Sequence, residues 1–266
     1  MLKTKKFYSL PHDERRALYA RLRNADFKNM QNRRVTVTND GYSYKSFDQY
    51  QCIFVRIPKT AGRSISRTLF GNLGGSHTTI KCYQIIFSKK EFDRYFKFTF
   101  VRNPWSRVFS AYNFLKKGGV NEIDRRWAEA NLTSYRNFDD FIKRWLNKSR
   151  IEQYVHFIPQ YEFLCIPYNH ELSVDFVGFF ENIQDDFEYI KNKLSVDANL
   201  TLSHENKTAP DGKQLDYRDY YTNETRDIVA EVYKRDIELL GYNFDNSSLM
   251  TQLTNRSTLP LFRCAP

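Results

Sequence analysis

The stretch CIFVRIPKTAGRSISRTLFG, residues 52–71, decides the fold. It opens on an apolar run, Cys52 to Val55, of the length and β-branched, aromatic character of a buried strand. A proline, a lysine, a threonine, a glycine and two serines follow within ten residues, and then a short helix is expected over 64–70, stopped by Gly71. A strand, a tight polar turn and a helix start together make a place to hold an anion. The first amides of a helix have no partner within it, and its dipole is positive at that end. Thr60, Ala61, Gly62, Arg63 and Ser64 occupy the turn, Lys59 adds an ammonium, and the Thr60 and Ser64 hydroxyls add donors. The lysine stands before the glycine, and no GxxxxGK[ST] occurs in the chain, so this is not an ATP-binding Walker loop. An ordinary polar turn is the competing reading.

Working outward, residues 97–101 (KFTFV) form a second β-rich run ending at Arg102, and VDFVGFF, residues 174–180, a third buried strand. Asn103 and Pro104 then start a helix, with Asn as cap and Pro at the first helical position. Trp105, Val108, Phe109, Tyr112 and Leu115 repeat at helical spacing, and Gly118-Gly119 ends it. Phe138, Phe141, Ile142, Trp145 and Leu146 mark another helix, and Ile183, Phe187, Ile190 and Leu194 another. SLPHDERRALYARLRN reads as a first helix, residues 31–50 as polar and irregular, residues 199–221 as a polar loop, and NETRDIVAEVYKRDIELLG as one last long helix. Strands alternating with helices predict an α/β fold of three layers, a central, mainly parallel sheet flanked by helices. Ligands of such sheets sit at the carboxyl ends of the strands, which puts both strand-to-helix turns, 58–64 and 102–104, on one rim.

The second turn, in FVRNPWSRVFSAY, supplies a guanidinium at Arg102 and a hydroxyl at Ser110, two helical turns into the helix. Together they suit a second phosphate; Arg102 as a surface ion-pair residue is the alternative. Two separated anion sites suit a nucleotide with phosphates at both ends of its ribose.

The totals narrow the class. Hydrophobic residues at 41% and 22 phenylalanines are enough for a sizeable core, which argues against disorder. No run approaches the roughly 18 apolar residues of a membrane span, and the basic start MLKTKK leads into no apolar signal segment. The formal charge of +10 is uneven: residues 1–34 hold ten Lys and Arg against Asp13, Glu14 and Asp26, giving +7, and the remainder only +3. The body is therefore no generic nucleic-acid binder, while the basic N-terminal arm suits a polyanion, a membrane surface or plain solvation. Cys52, Cys82, Cys165 and Cys264 lie far apart without a CxxC pair, which fits reduced thiols in a cytoplasmic protein rather than a zinc site or a disulfide framework. The N-x-S/T triplets, beginning at Asn131, Asn147, Asn199, Asn206, Asn223, Asn246 and Asn255, read as a product of composition.

IPKTAGRS resembles the 5′-phosphosulfate loop, and FVRNPWSRVFSAY the 3′-phosphate element, of the sulfotransferase family 2 proteins. The likeness continues through SHTTI, HFIPQYEFL, VDFVGFFENIQDDFEYI, HENKT and YYTNETRDIVAEVYKRDIELLGY, covering about residues 52–244. It implies a P-loop-like fold with 3′-phosphoadenosine 5′-phosphosulfate (PAPS) as donor. The implied products are 3′-phosphoadenosine 5′-phosphate and a sulfated hydroxyl, most often on a carbohydrate, by in-line transfer without a metal. Lys59 would neutralise the bridging oxygen of the donor, and residues 59–64, Arg102 and Ser110 would hold the nucleotide. Asn206 and Lys207 match a late loop near it. The resemblance puts the catalytic base near His77, which stands in a Gly-Gly-Ser-His loop between the first helix and the second strand. An imidazole suits a general base. His156 matches a family block and is read as positioning the acceptor or supporting the fold, while His12, His170 and His204 read as surface or loop residues. Arg63 stands where relatives commonly have a small hydroxyl residue.

The expected organisation is a basic arm over 1–50, the transferase domain over 51–244 and a tail over 245–266. The acceptor is expected to be a carbohydrate, possibly anionic, with no nucleic-acid partner and the oligomeric state open. Two other classes share parts of the pattern. A nucleotide or sugar kinase would need Mg²⁺ ligands, and a non-catalytic polyanion binder would use residues 1–34.

Overall fold

The computed structural model describes residues 5–39, 41–166, 172–202 and 215–256. They fall into two compact units, one holding 5–101 and 160–202, the other 102–159 and 215–256.

The first unit carries the sheet. Strands β1 (Cys52–Val55), β2 (Phe96–Val101) and β3 (Phe176–Phe179) lie in the order β1-β2-β3, all parallel, with Phe54 opposite Phe98 and Phe98 opposite Phe176. β1 and β3 are buried throughout and β2 from its second residue, as a sheet covered on both faces requires. The Phe54 and Phe98 rings stack 4.7 Å apart. Gly178 leaves room for Phe100, since a Cβ there would come within 2.7 Å of that ring. Parallel neighbours need a crossover. Between β1 and β2 it runs through helices Gly62–Phe70, Ile80–Ile86 and Lys89–Arg94. Helix Lys45–Tyr50 packs on β1, and helix Ile183–Leu194 on β3. The expected α/β architecture with a parallel sheet flanked by helices is therefore present.

The N-terminal helix forms over His12–Leu22, with Pro11 before it and Asp13 and Glu14 in its first turn. Its cations are not all a solvated face. Arg15 is buried and donates to the Tyr8 carbonyl and to Gln84 Oε1 at 2.6 Å. Arg16 Nε donates to the Ile85 carbonyl. Arg34 lies over the Phe87 ring and pairs with both Asp48 and Glu91 at 2.6 Å. These contacts make the arm part of the first unit. The charge that faces solvent is carried by exposed residues such as Lys6, Arg21 and Lys28.

The second unit is helical and holds a continuous aromatic core that includes Trp105, Phe109, Tyr112, Phe141, Trp145, Phe157 and Tyr233. Helix Pro104–Lys116 starts as expected, and the whole predicted stripe Trp105, Val108, Phe109, Tyr112 and Leu115 is buried. Helix Phe138–Trp145 also matches its pattern.

Four readings change. Residues 31–50 are not irregular throughout: helix Asn24–Asn32 reaches into them and helix Lys45–Tyr50 closes them. The last long helix is two, Asn223–Val232 and Lys234–Leu240, broken at Tyr233 (φ −106°, ψ 22°), and helix Leu249–Arg256 follows. The break accompanies the seating of the fully buried Tyr233, whose hydroxyl donates to the Phe157 carbonyl at 2.7 Å. Helices Ile80–Ile86, Lys89–Arg94 and Glu122–Leu132 had no counterpart in the periodicity. The reading of all cysteines as reduced holds for Cys52 and Cys82 but not for Cys165, which is disulfide-bonded.

Candidate active site

In the first unit, β1 runs out through Arg56 and Ile57 into the turn, and the helix begins at Gly62, two residues earlier than the apolar spacing suggests. The turn is tight because two non-glycine residues take the left-handed region, Lys59 at φ 70° and Ala61 at φ 62°. Such conformations cost of order 1–3 kcal/mol each and cluster at ligand clamps. Ala61 is the N-cap residue and offers the first amides of the helix no side-chain acceptor. The buried Thr60 hydroxyl donates to the Ile57 carbonyl at 3.0 Å, so its proton closes the turn rather than facing outward. Ser64 is buried in the first helical turn, while Lys59, Ala61 and Arg63 are partly exposed. Gly62 is required by close approach: a Cβ there would lie 2.3 Å from Cγ of Arg56.

His77 belongs to the same unit. Its Nδ1 lies 3.0 Å from the Arg56 carbonyl oxygen. A carbonyl only accepts, so Nδ1 carries the hydrogen and Nε2 is the basic nitrogen. The loop that brings it there runs through Gly74, Gly75 and Ser76 at φ 36°, 73° and 53°. At Gly75 only glycine fits, since a Cβ would sit 2.3 Å from the hydroxyl of the fully buried Tyr83.

The second unit begins at Arg102, whose Nε donates to the Ser106 hydroxyl at 2.9 Å. Ser106 and Ser110 are four apart on one face of the helix, and Arg102, four before Ser106, stands just ahead of its cap. Ser106 was not foreseen, although that spacing could have shown it. Asn103 caps the helix: its Oδ1 accepts from the amides of Trp105 and Ser106 at 3.0 and 3.3 Å. Its Nδ2 donates to the Asn243 carbonyl at 2.8 Å. Arg107 is fully buried and donates to the carbonyls of Ile158 at 2.6 Å and His156 at 3.3 Å, which ties it to the core. Burial lowers the pKa of its guanidinium.

His156 is buried too. Its Nε2 stands 3.3 Å from Asp124 Oδ1, and the Tyr154 hydroxyl donates to the same oxygen. Burial opposes the charge on Asp124, but hydrogen bonds from His156, Tyr154 and the Val120 amide outweigh it and hold the carboxyl at about 2. His12, expected at the surface, is half-buried with Nε2 3.0 Å from the Phe87 carbonyl, and burial lowers its pKa. Asn206, Lys207, His170 and His204 lie outside the described residues. A cleft of about 470 Å³ in the first unit is lined by Tyr8, His12, Arg15, Gln84 and Phe92, and by none of residues 58–64. Among the described residues no helix is long and apolar enough to cross a membrane, and no group of three or more His, Cys, Asp or Glu is placed to hold a metal ion.

The Sulfotransferase family matches the chain over residues 42–243, which include both helix starts and His77, and the chain belongs to that family. An uncharacterized protein of Archaeoglobus fulgidus is 31% identical over 115 residues, 43% of this chain and 79% of that protein. Carbohydrate sulfotransferase 10 of Gallus gallus is 26% identical over 182 residues, 58% of this chain and 48% of that protein. Carbohydrate sulfotransferase 11 of Rattus norvegicus is 23% identical over 252 residues, 80% of this chain and 71% of that protein. The chain thus spans about half the length of the Gallus gallus protein. No solved structure matches it.

Proposed function

We propose that the chain is a PAPS-dependent O-sulfotransferase whose acceptor is a carbohydrate hydroxyl. The observation that carries the proposal is the pairing, within one unit, of an uncapped helix start behind Lys59 with a histidine whose Nδ1 is committed to the Arg56 carbonyl. The names of the carbohydrate sulfotransferase relatives support the acceptor class.

The residues of the turn fit an anionic group. The amides after Ala61 take no side-chain cap, Gly62 has no Cβ, and Lys59 precedes them. PAPS supplies the sulfuryl group. Residues 59–64 hold the 5′ end of the nucleotide, and the Lys59 ammonium offsets the negative charge that grows on the bridging oxygen as the bond to sulfur breaks. Nε2 of His77 takes the proton of the attacking hydroxyl. Transfer of this kind is mostly positioning and charge stabilisation, as in phosphoryl transfer. Arg102 and Ser110 take the 3′-phosphate, with Ser106 orienting the guanidinium, and Asn206 and Lys207 belong to the nucleotide's late loop. His156 is assigned to supporting the second unit, because its ring nitrogen is turned to the buried Asp124.

The test is to incubate the protein with labelled PAPS and a panel of glycans, phenols and alcohols, with EDTA present. Label transferred to a glycan is the expected result. Transfer only to small phenols or alcohols would overturn the acceptor assignment. Dependence on Mg²⁺ with ATP replacing PAPS would favour a kinase, and heparin binding with PAPS untouched would favour a polyanion-binding protein.

A further inference from the structure

Arg56 is the last residue before the anion turn's Ile57-Pro58, and it is 1% exposed. Among the described residues no carboxylate pairs with it, which is unusual for a buried guanidinium. Its side chain lies over the Tyr42 ring, 5.3 Å from the centroid, and donates to the Leu73 carbonyl. Leu73 opens the Gly74-Gly75-Ser76 run that delivers His77. The stem of Arg56 fills the space that a Cβ on Gly62 would occupy. Its own carbonyl accepts from His77 Nδ1. One residue thus touches the floor of the helix start, the beginning of the histidine loop and the histidine itself.

Resting on the sulfotransferase reading, we propose that Arg56 is a positioning residue that locks the donor turn and the His77 loop into one rigid piece. The side chain fixes the loop through Leu73, and the main chain fixes the tautomer and direction of the imidazole. Gly62 is glycine so that this stem can pass beneath the helix start. Arg56 contacts neither donor nor acceptor in this account; it sets where Nε2 of His77 stands relative to the turn that holds the donor.

The test compares Arg56→Met, which keeps most of the stem and removes the guanidinium, with the wild-type protein. Three readouts are taken below the melting transition of both: turnover per folded molecule, affinity for 3′-phosphoadenosine 5′-phosphate, and the ¹⁵N signals of the His77 ring. Turnover should fall at least tenfold and nucleotide affinity should fall less, with the His77 ring moving from one tautomer to a mixture. Gly62→Ala, which pushes a Cβ into the same stem, should move the His77 signals in the same direction. If Arg56→Met does not fold, Arg56→Lys is read in the same way and should show a smaller shift of the same sign. A lower melting temperature with turnover within twofold of wild type and unchanged His77 signals would reduce Arg56 to a packing residue and overturn the proposal. The ring signals need no sulfuryl transfer. A wild-type protein inactive with PAPS would therefore defeat the functional reading, while the His77 response to Arg56→Met still decides the positioning claim.

Discussion

The helix that begins at Gly62 and the helix that begins at Pro104 both follow a strand of the same parallel sheet, and they use their first amides in opposite ways. At Gly62 the N-cap is Ala61 in the left-handed region, which offers the first turn no side-chain acceptor. At Pro104 the first residue has no N–H, and Asn103 Oδ1 occupies the amides of Trp105 and Ser106. In the proposed function the first start keeps backbone donors for the nucleotide, at the cost of two non-glycine residues in the left-handed region. The second satisfies its backbone internally, so the proposed function assigns recognition there to the side chains of Arg102 and Ser110. In the first turn, therefore, the shape of the main chain matters most, and in the second a single side chain should be removable without disturbing the fold.

The largest expected effect lies on the side of the first turn. His77→Ala should lower turnover by about 10²–10⁴, the range for a lost general base, with nucleotide affinity near wild type. Lys59→Ala should lower both, because the proposed function has the ammonium meet the donor before and during transfer. Stopped or quenched assays beside calorimetry separate the two. Near-full turnover in His77→Ala, with turnover abolished in a folded His156→Ala, would move the base to the second unit and break the contrast.

Acid should affect the second unit through Asp124. Its carboxyl is held at about 2 against an ordinary 3.8. A carboxylate whose pKa falls on folding contributes stability above its unfolded value and loses it as the pH drops through the folded one. About 2 kcal/mol should therefore be lost between roughly pH 4 and pH 2. All three tryptophans, Trp105, Trp127 and Trp145, lie in this unit, so their fluorescence in urea titrations at stepped pH reports it directly. Asp124→Asn should flatten the acid limb; an unchanged limb would mean other carboxylates carry it.

A smaller effect is expected at the cap. Asn103→Ala should cost about 0.5–2 kcal/mol of stability, measured by denaturant unfolding, since two amides lose their acceptor. The side chain also bonds the Asn243 carbonyl, which puts the expectation toward the upper end. Nucleotide affinity unchanged relative to Arg102→Ala would sharpen the contrast, whereas a stronger loss of nucleotide than of stability would show that this turn, too, works through its main chain.

What the sequence disclosed follows the strength of its local signals. The three strands are short buried runs and the Pro104 helix has both a cap and a clean apolar stripe, so both were legible. Helix Glu122–Leu132 was not, because its buried face is Asp124, Ala128 and Leu132, only one of them a large apolar residue. Ile80–Ile86 is buried at five of seven positions and has no polar face to give a period. Lys89–Arg94 did carry a capping box, Ser88 with Glu91, that a closer reading of S-x-x-E would have found. At the candidate site, Lys59, Arg102 and His77 stand in the sequence as residue types in an order that suggests their proposed roles. The contacts of Arg56 and Ser106 were not visible, since an arginine stem beneath Gly62 and a serine bonded to Arg102 are defined by the folded chain alone.

The most direct test of the account is calorimetry, in EDTA, of adenosine 5′-phosphate and 3′-phosphoadenosine 5′-phosphate with wild type and Arg102→Ala. Wild type should bind the 3′-phosphorylated nucleotide more tightly. Arg102→Ala should lose about 1.5–3 kcal/mol for that nucleotide, the range for a hydrogen bond to a charged group, and almost nothing for the other. Equal losses for both nucleotides, or a wild type that does not distinguish them, would contradict it.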